Sequence, residues 1–513
     1  MPTFKRLDLF LLLPLNSPEQ TPRYIKIPLD SSQNFSKTID MATYNITSDL
    51  QEQLDDINQK LEKAQSEGPL TLTAQTSGNA FWDYLKSCEQ YAHSGNLQNQ
   101  EYDHDMENVL ALYHLNHLVD EGHLTLLLRT AFHLPPSTIT PEMLEANANL
   151  AGWVSGDGTL YAVSRFCQLD FRWMLVMVYY FYYKIFPHKK HGFVPPPQTA
   201  QHPEIPSKAT VAIIGDWGTG VWQDGGKDKC PAQLVIDGAL SQNPDYIIHL
   251  GDVYYAGTSK EERKHLLDLL PDSYKGRVYT MNSNHEMYDG ANGLLGTSLQ
   301  DPMFHQQQGS SCFQLAIGDW IFVGLDSAYY DDSMLYMKGS LCNSEGGEEQ
   351  LGYLGSAYRT GKKIFLLTHH NGIEVAKDGP TPNETLWNQV VGAMDQHLPE
   401  AWYWGHVHNG IVYRDNLSFY NVGSHTATHK MRCCGHASIP FGDGSYLKKA
   451  SQGTDPTVDY YACTQMPGPT DEVQKLRVLN GFAMVTITGD TLTEAFYEVS
   501  NDYAKPKQVW PHP

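Results

Sequence analysis

Two textures divide the chain. In the first, apolar positions recur three and four residues apart. Leu50, Leu54, Ile57 and Leu61 form one stripe with charges opposite, and Ser48 stands ready to cap, which predicts a helix from Asp49 to about Ser66. Similar spacing predicts helices over about 79–93, 104–118, 121–133 and 141–150. Ahead of them the runs Leu9–Leu13 and Tyr24–Ile27 flank a turn from Ser17 to Pro22 and predict a strand pair. Residues 1–200 are therefore expected to form a mainly α-helical N-terminal domain of unknown role. Its last piece, Phe171–Phe186, reads FRWMLVMVYYFYYKIF, flanked by Arg172 and Lys184 and followed by His188-Lys189-Lys190-His191. The uncharged part is shorter than the ~20 residues needed to cross a bilayer, so a buried helix is predicted rather than a span. The alternative is a protein-docking or membrane-surface contact through this domain.

Pro195-Pro196-Pro197 opens a Pro-rich connector ending at Pro206. From Thr210 short β-rich runs take over: Val211–Ile214, Tyr246–Leu250, Arg277–Met281, Ile321–Leu325, Lys363–Leu367 and Ala401–Trp404. Pro231–Gln242 and Lys260–Leu269 are predicted as helices between them, an alternation that predicts an α/β domain. The stretch from His429 to about Leu479 reads as an irregular insertion before a final hairpin, Gly481–Ile487 with Thr491–Val499.

Charge and cysteine usage narrow the classes. The net charge of -22 argues against a nucleic-acid scaffold or an anionic membrane surface as partner. It does not exclude a phosphate substrate, because bound cations reverse the local sign. The 8 cysteines show neither metal-finger spacing nor a disulfide framework. Lys5-Arg6 before Leu9–Leu13 is a poor export signal, interrupted by Asp8 and ended by Pro14. The cytoplasm is favoured and export is the alternative.

Chemistry concentrates in five fragments of the second texture: Gly215-Asp216-Trp217-Gly218, Gly251-Asp252-Val253-Tyr254-Tyr255, Asn284-His285-Glu286, Thr368-His369-His370 and Gly405-His406-Val407-His408. Most follow a predicted strand, where an open α/β sheet gathers its functional groups. Carboxylate, phenol, amide oxygen and imidazole suit iron, manganese or zinc, and the absence of thiolate narrows the choice further. Each fragment alone is an ordinary turn or loop, but their joint order defines a site for two metal ions. His425, His429 and His436 are expected in a loop overhanging it.

These fragments resemble the signature of the calcineurin-like metallophosphoesterase superfamily over about 207–500, and within it the purple, tartrate-resistant type of acid phosphatase. The resemblance implies a two-sheet β sandwich flanked by helices. It implies one metal held by Asp216, Tyr255, His408 and a bridging Asp252, and a second held by Asp252, Asn284, His369 and His406. Tyr254 is the competing phenol, but the family's tyrosine stands three residues after the second aspartate, where Tyr255 is. Fe(III) with Fe(II), Zn or Mn is implied, with His285 and His370 touching the phosphoryl group and Glu286 orienting His285. The chain departs from the pattern at Gly218, where the wider superfamily has histidine, and at Ser283 and Asn371.

The implied activity is hydrolysis of phosphate monoesters by in-line attack of a metal-bound hydroxide, a two-metal chemistry. A phosphodiesterase acting on nucleotides or phospholipid head groups is the alternative within the superfamily. A regulatory or partner-binding protein using the helical domain is the alternative of another class.

Overall fold

A computed structural model describes residues 206–512 apart from 223–228, 377–378, 423–427, 440–444 and 463–477. It also describes 187–197, Phe166, Val176, Tyr179, Tyr180, Tyr183 and four short strands, Phe10–Leu11, Ile25–Lys26, Gly152–Val154 and Leu160–Ala162. The helices expected between residues 49 and 150 lie outside the described residues. Two compact units divide at Ala148/Asn149. In the first, Phe10–Leu11 pairs antiparallel with Ile25–Lys26, where the strand pair was expected.

The second unit is built on two mixed sheets. One holds β1 (Lys208–Ile214), β2 (Tyr246–His249) and β3 (Val278–Tyr279). The other begins with β4 (Phe313–Ile317), β5 (Trp320–Gly324), β6 (Lys363–Leu367) and β7 (Ala401–Trp404). It continues with β8 (Gly410–Tyr413), β9 (Lys430–Cys434) and β10 (Val458–Tyr461). The chain then returns to the first sheet through β11 (Gly481–Thr488), β12 (Thr491–Glu498) and β13 (Lys507–Trp510). The strand orders are β13-β12-β11-β1-β2-β3 and β10-β8-β9-β7-β6-β5-β4. β1, β2 and β3 run parallel, as do β5, β6, β7 and β9.

Alternation along each strand builds two cores, because successive side chains leave opposite faces. Phe365 and Leu367 of β6 join Val211, Ile213, Phe322, Tyr403, Val485 and Phe496 between the sheets. Ile364 and Leu366 face the other way, against Leu354 of α3 (Glu348–Tyr358) and Leu386, Trp387 and Val390 of α4 (Glu384–Ala393). α1 (Pro231–Leu240) lies on the first sheet, its Gly238 so close to Phe482 and Val499 that a Cβ would stand 2.8 Å from Val499.

The stretch from His429 is not the irregular insertion expected. β9 and β10 both belong to the second sheet, hidden in the sequence because the charged residues Lys430, Arg432 and Asp459 interrupt their apolar pattern. Consequently His429 is buried, its Nδ1 2.8 Å from the Pro399 carbonyl, and His436 is fully buried beneath Phe496 rather than overhanging a site. His425 lies outside the described residues.

β9 also carries the tie between the sheets. Buried Arg432 donates to Glu494 of β12 through Nη2 (2.7 Å) and Nε (3.0 Å), and to Asp415 through Nη2 (2.7 Å). Burial pushes Glu494 up, but Arg432 and Lys430 outweigh it and hold it at about 2. A depressed folded-state pKa gives stability that is complete above the ordinary value of 4.5 and lost as pH falls through about 2. Arg432→Ala removes the largest partner of that carboxylate and leaves it to Lys430 and Tyr403, and urea unfolding at neutral pH should show a loss of about 3 kcal/mol.

Four described residues of the aromatic stretch, Val176, Tyr179, Tyr180 and Tyr183, are helical, buried and spaced along one helix face. They belong to the second unit. The Tyr183 hydroxyl donates to Asp289 (3.1 Å), and Tyr180 packs edge-on against Tyr288 and Tyr336. Among the described residues no helix is long and apolar enough to cross a membrane.

Candidate metal centre

Parallel strands from both sheets end at one edge, and the five fragments meet there. Asp216, Asp252, His369 and His406 lie two or three residues beyond β1, β2, β6 and β7. Asn284 opens the short helix α2 (Asn284–Tyr288), where the Ser283 hydroxyl accepts the His285 amide at 3.0 Å. The loops are laced together: the Asp216 amide donates to the Gly251 carbonyl, and the Gly405 amide to that of His369. Asp216, Asp252, His406 and His408 all have φ between 48° and 74°, a left-handed conformation that non-glycine residues hold at a cost. Four such residues at one edge mark a place where packing has been overruled.

The side chains converge. His369 Nε2 lies 2.9 Å from Asn284 Oδ1 and 3.1 Å from Asp252 Oδ1. Asn284 Oδ1 is also 3.2 Å from His406 Nδ1. His408 Nε2 is 3.6 Å from Asp252 Oδ2 and 3.7 Å from Asp216 Oδ1. Asp216, Asp252 and His369 offer ligand atoms within 4.8 Å of one another, as do His369, His370 and His406. Six of the seven residues expected to hold metal are thus together.

The seventh, Tyr255, is turned away. Its ring stacks on Phe166 (centroids 4.9 Å) and its hydroxyl accepts the Phe166 amide at 3.3 Å. Tyr254 takes the inner place. Its hydroxyl donates to Asp252 Oδ2 (2.9 Å) and meets His408 Nε2 at 2.5 Å. Spacing from Asp252 selects one phenol and geometry the other. Nothing in the sequence distinguishes them, because the aromatic partner that holds Tyr255, Phe166, lies 89 residues away.

The donor set fits a cation. His369 Nδ1–H donates to the Leu250 carbonyl at 2.8 Å, so its Nε2 carries a lone pair. That lone pair faces the oxygens of Asn284 and Asp252, none of which has a proton to give, since the Asn284 amide nitrogen is bonded to the Tyr288 hydroxyl. Acceptors facing acceptors out of water are unfavourable unless a positive ion sits among them. Burial and the neighbouring Asp252 push the Asp216 carboxyl well above its usual range. Burial acts on Asp252 too, but His369 and His285 outweigh it and hold that group low.

Surrounding groups hold these side chains in place. Ser283 Oγ meets Asp252 Oδ1 at 2.5 Å and also contacts Glu286. Glu286 accepts the Val253 amide (3.0 Å) and is raised to about 8, by burial first and by Asp252 second. Its task is therefore the Asp252 loop, not His285 as expected. His285 instead donates Nδ1–H to the Tyr255 carbonyl (2.6 Å), leaving Nε2 4.0 Å from Asp252 Oδ2. His370 has both ring nitrogens engaged, Nε2–H with the Tyr336 carbonyl (2.6 Å) and Nδ1 with the Ser327 hydroxyl (2.9 Å). Burial and His369 lower it to about 4. Gly218 has a physical reason: a Cβ there would stand 2.3 Å from Val253 Cα, so no histidine fits.

Residues 209–410 match the model of the calcineurin-like phosphoesterase family. No curated protein matches the chain in sequence. Similar solved structures include a purple acid phosphatase from yellow lupin (Lupinus luteus) seeds, at 15% identity and TM-score 0.40, covering 60% of this chain and 54% of that one. The chain thus spans about half the length of the lupin protein. Another is GAP50, the anchor in the inner membrane complex of Plasmodium, at 13% identity and TM-score 0.36, covering 59% of this chain and 88% of that one. A third is a dimetal phosphatase from Danio rerio, at 15% identity and TM-score 0.34, covering 59% of this chain and 98% of that one. From residue 209 to residue 410 the chain is a calcineurin-like phosphoesterase domain.

Proposed function

We propose that this domain hydrolyses phosphate monoesters at a pair of metal ions. The observation that carries this reading is the cluster of buried lone pairs contributed by Asp216, Asp252, Asn284, His369, His406 and His408. In this reading Asp216, Tyr254 and His408 would hold one ion and Asn284, His369 and His406 the other, with Asp252 serving both. When bound, two cations supply charge for the phosphate oxygens and acidify water enough for it to act as nucleophile near neutral pH.

The protein's own residues orient the reaction. Ser283 and Tyr254 fix the two oxygens of Asp252. The Leu250 carbonyl fixes the tautomer of His369. His285, anchored through Nδ1–H, leaves Nε2 beside Asp252, and only when its ring is protonated at both nitrogens would it have a proton to pass to the leaving oxygen. His370, pinned at both nitrogens, positions its neighbours instead. Iron(III) with iron(II), zinc or manganese is the proposed pair, on the strength of a phenol in the cluster.

The test is metal analysis of the purified full-length protein, with hydrolysis of p-nitrophenyl phosphate and its bis ester before and after chelation. Two ions per chain and a chelator-sensitive preference for the monoester are expected. Absence of bound metal would sink the reading, and preference for the bis ester would convert it to a phosphodiesterase.

A further inference from the structure

The loop Asp331–Gly339 approaches the metal centre and is pinned from within. The Asp331 carboxylate accepts the amides of Ser333 (2.8 Å), Lys338 (3.0 Å) and Gly339 (2.7 Å). The Ser333 hydroxyl accepts those of Met337 (2.9 Å) and Lys338 (3.0 Å). Two consecutive residues, Leu335 and Tyr336, sit at φ 55°. Side-chain-bearing residues adopt this region only when their surroundings over-determine it. Tyr336 is held on both sides, its carbonyl by His370 and its ring by Tyr180.

The outcome of this arrangement is the placement of Met337. It is 45% exposed, and it is among only three large apolar side chains exposed in the described residues. Its Sδ lies 3.8 Å from Asn284 Nδ2 and 4.0 Å from the Tyr288 hydroxyl. Asn284 turns its oxygen toward His369 and His406 and its nitrogen toward Met337, so the thioether stands one side chain from the metal-binding atoms. The strained residues are Leu335 and Tyr336, while Met337 itself has an ordinary φ of -94°, so the strain in the loop fixes where the thioether stands. A ligand that covers the thioether gains by removing its apolar surface from water.

We propose that Met337 is a specificity-determining residue which receives the leaving group of the phosphate ester, and that this group is aromatic or otherwise apolar. The inference rests on the hydrolase reading and adds the substrate class. A thioether is polarizable and adapts its shape, so it favours contact with an aromatic ring. Exposed Lys338 and half-buried Lys190, whose ammonium lies 5.1 Å from the Tyr336 ring centre, give this loop positive charge suited to an anionic ester.

The full-length, metal-loaded protein should be assayed with phenyl phosphate and 1-naphthyl phosphate, which differ in apolar area far more than in leaving-group acidity. The wild type should prefer the naphthyl ester. Met337→Gln should lower the naphthyl-to-phenyl ratio of kcat/KM by about fivefold, chiefly through KM. Met337→Leu, which keeps an apolar surface, should restore most of it. Tyr503→Ser, at another exposed apolar position, should leave the ratio unchanged. Equal losses on both esters would reduce Met337 to a packing residue and overturn the proposal, as would an unchanged ratio. Wild-type failure on both esters would instead overturn the monoesterase reading, and this inference with it.

Discussion

Asp252→Asn will remove metal binding and turnover together, lowering kcat by at least about a hundredfold, because groups that merely support metal ligands already cost 10–100-fold. Both oxygens of Asp252 are committed: Ser283 donates to Oδ1 and Tyr254 to Oδ2, while His369 and His408 press on the same two atoms. An amide of the same shape accepts at one end only and presents N–H to a cation at the other. Stability with and without metal separates this from general damage. In chelated protein the isosteric substitution keeps the packing but loses a carboxylate that its neighbours hold low, so the melting temperature should fall slightly. In metal-loaded protein the ligand-linked stabilisation, about 2.7 kcal/mol at a hundredfold excess over Kd, should disappear. His436→Ala is the contrast. That ring is fully buried under Phe496, and its loss should lower the melting temperature while leaving kcat within a few-fold. If the two variants lose kcat equally, the ligand assignment fails.

The parts of this site visible in the sequence were those encoded locally. Asp216, Asp252, His369 and His406 each follow a short apolar run that becomes β1, β2, β6 or β7, and each has glycine within one or two residues or an adjoining histidine. Strand and ligand are therefore read together. β9 and β10 were not legible, because their residues include Lys430, Arg432 and Asp459, whose charges are answered only in the folded state by Glu494, Asp415 and Arg414. The partners lie 45 to 64 residues away, apart from Asp415.

Supporting contacts were harder still. Ser283 showed itself as a departure from the family pattern, but its tie to Asp252 and Glu286 follows from three loops meeting. Glu286 looked like a partner for His285 because the two adjoin; the fold sends them to different sides of the Asp252 loop. Met337 had no sequence signal at all. Its meaning comes from exposure beside Asn284, and exposure is a property of the assembled chain.

Tyr254→Phe should bleach the iron-loaded protein completely, and Tyr255→Phe should leave its colour intact. A visible band from phenolate to iron(III) requires the phenol oxygen on the ion. Of the two phenols, Tyr254 has its oxygen among the proposed ligands, 2.9 Å from Asp252 and 2.5 Å from His408. Burial first, and Asp252 and Asp216 after it, hold the Tyr254 phenol well above its ordinary pKa, so the cation itself must draw off the proton. Iron uptake should therefore release a proton that Tyr254→Phe does not release. Tyr255→Phe keeps its stacking on Phe166 and loses the hydroxyl that accepts the Phe166 amide, which costs about 0.5–1.5 kcal/mol of stability and leaves the spectrum alone. The reverse pattern, colour lost with Tyr255→Phe and kept with Tyr254→Phe, would return the ligand to the position that spacing from Asp252 selects. A colourless protein that is fully active with zinc or manganese would remove the phenolate from the chemistry, while leaving the six other ligands and the hydrolase reading in place.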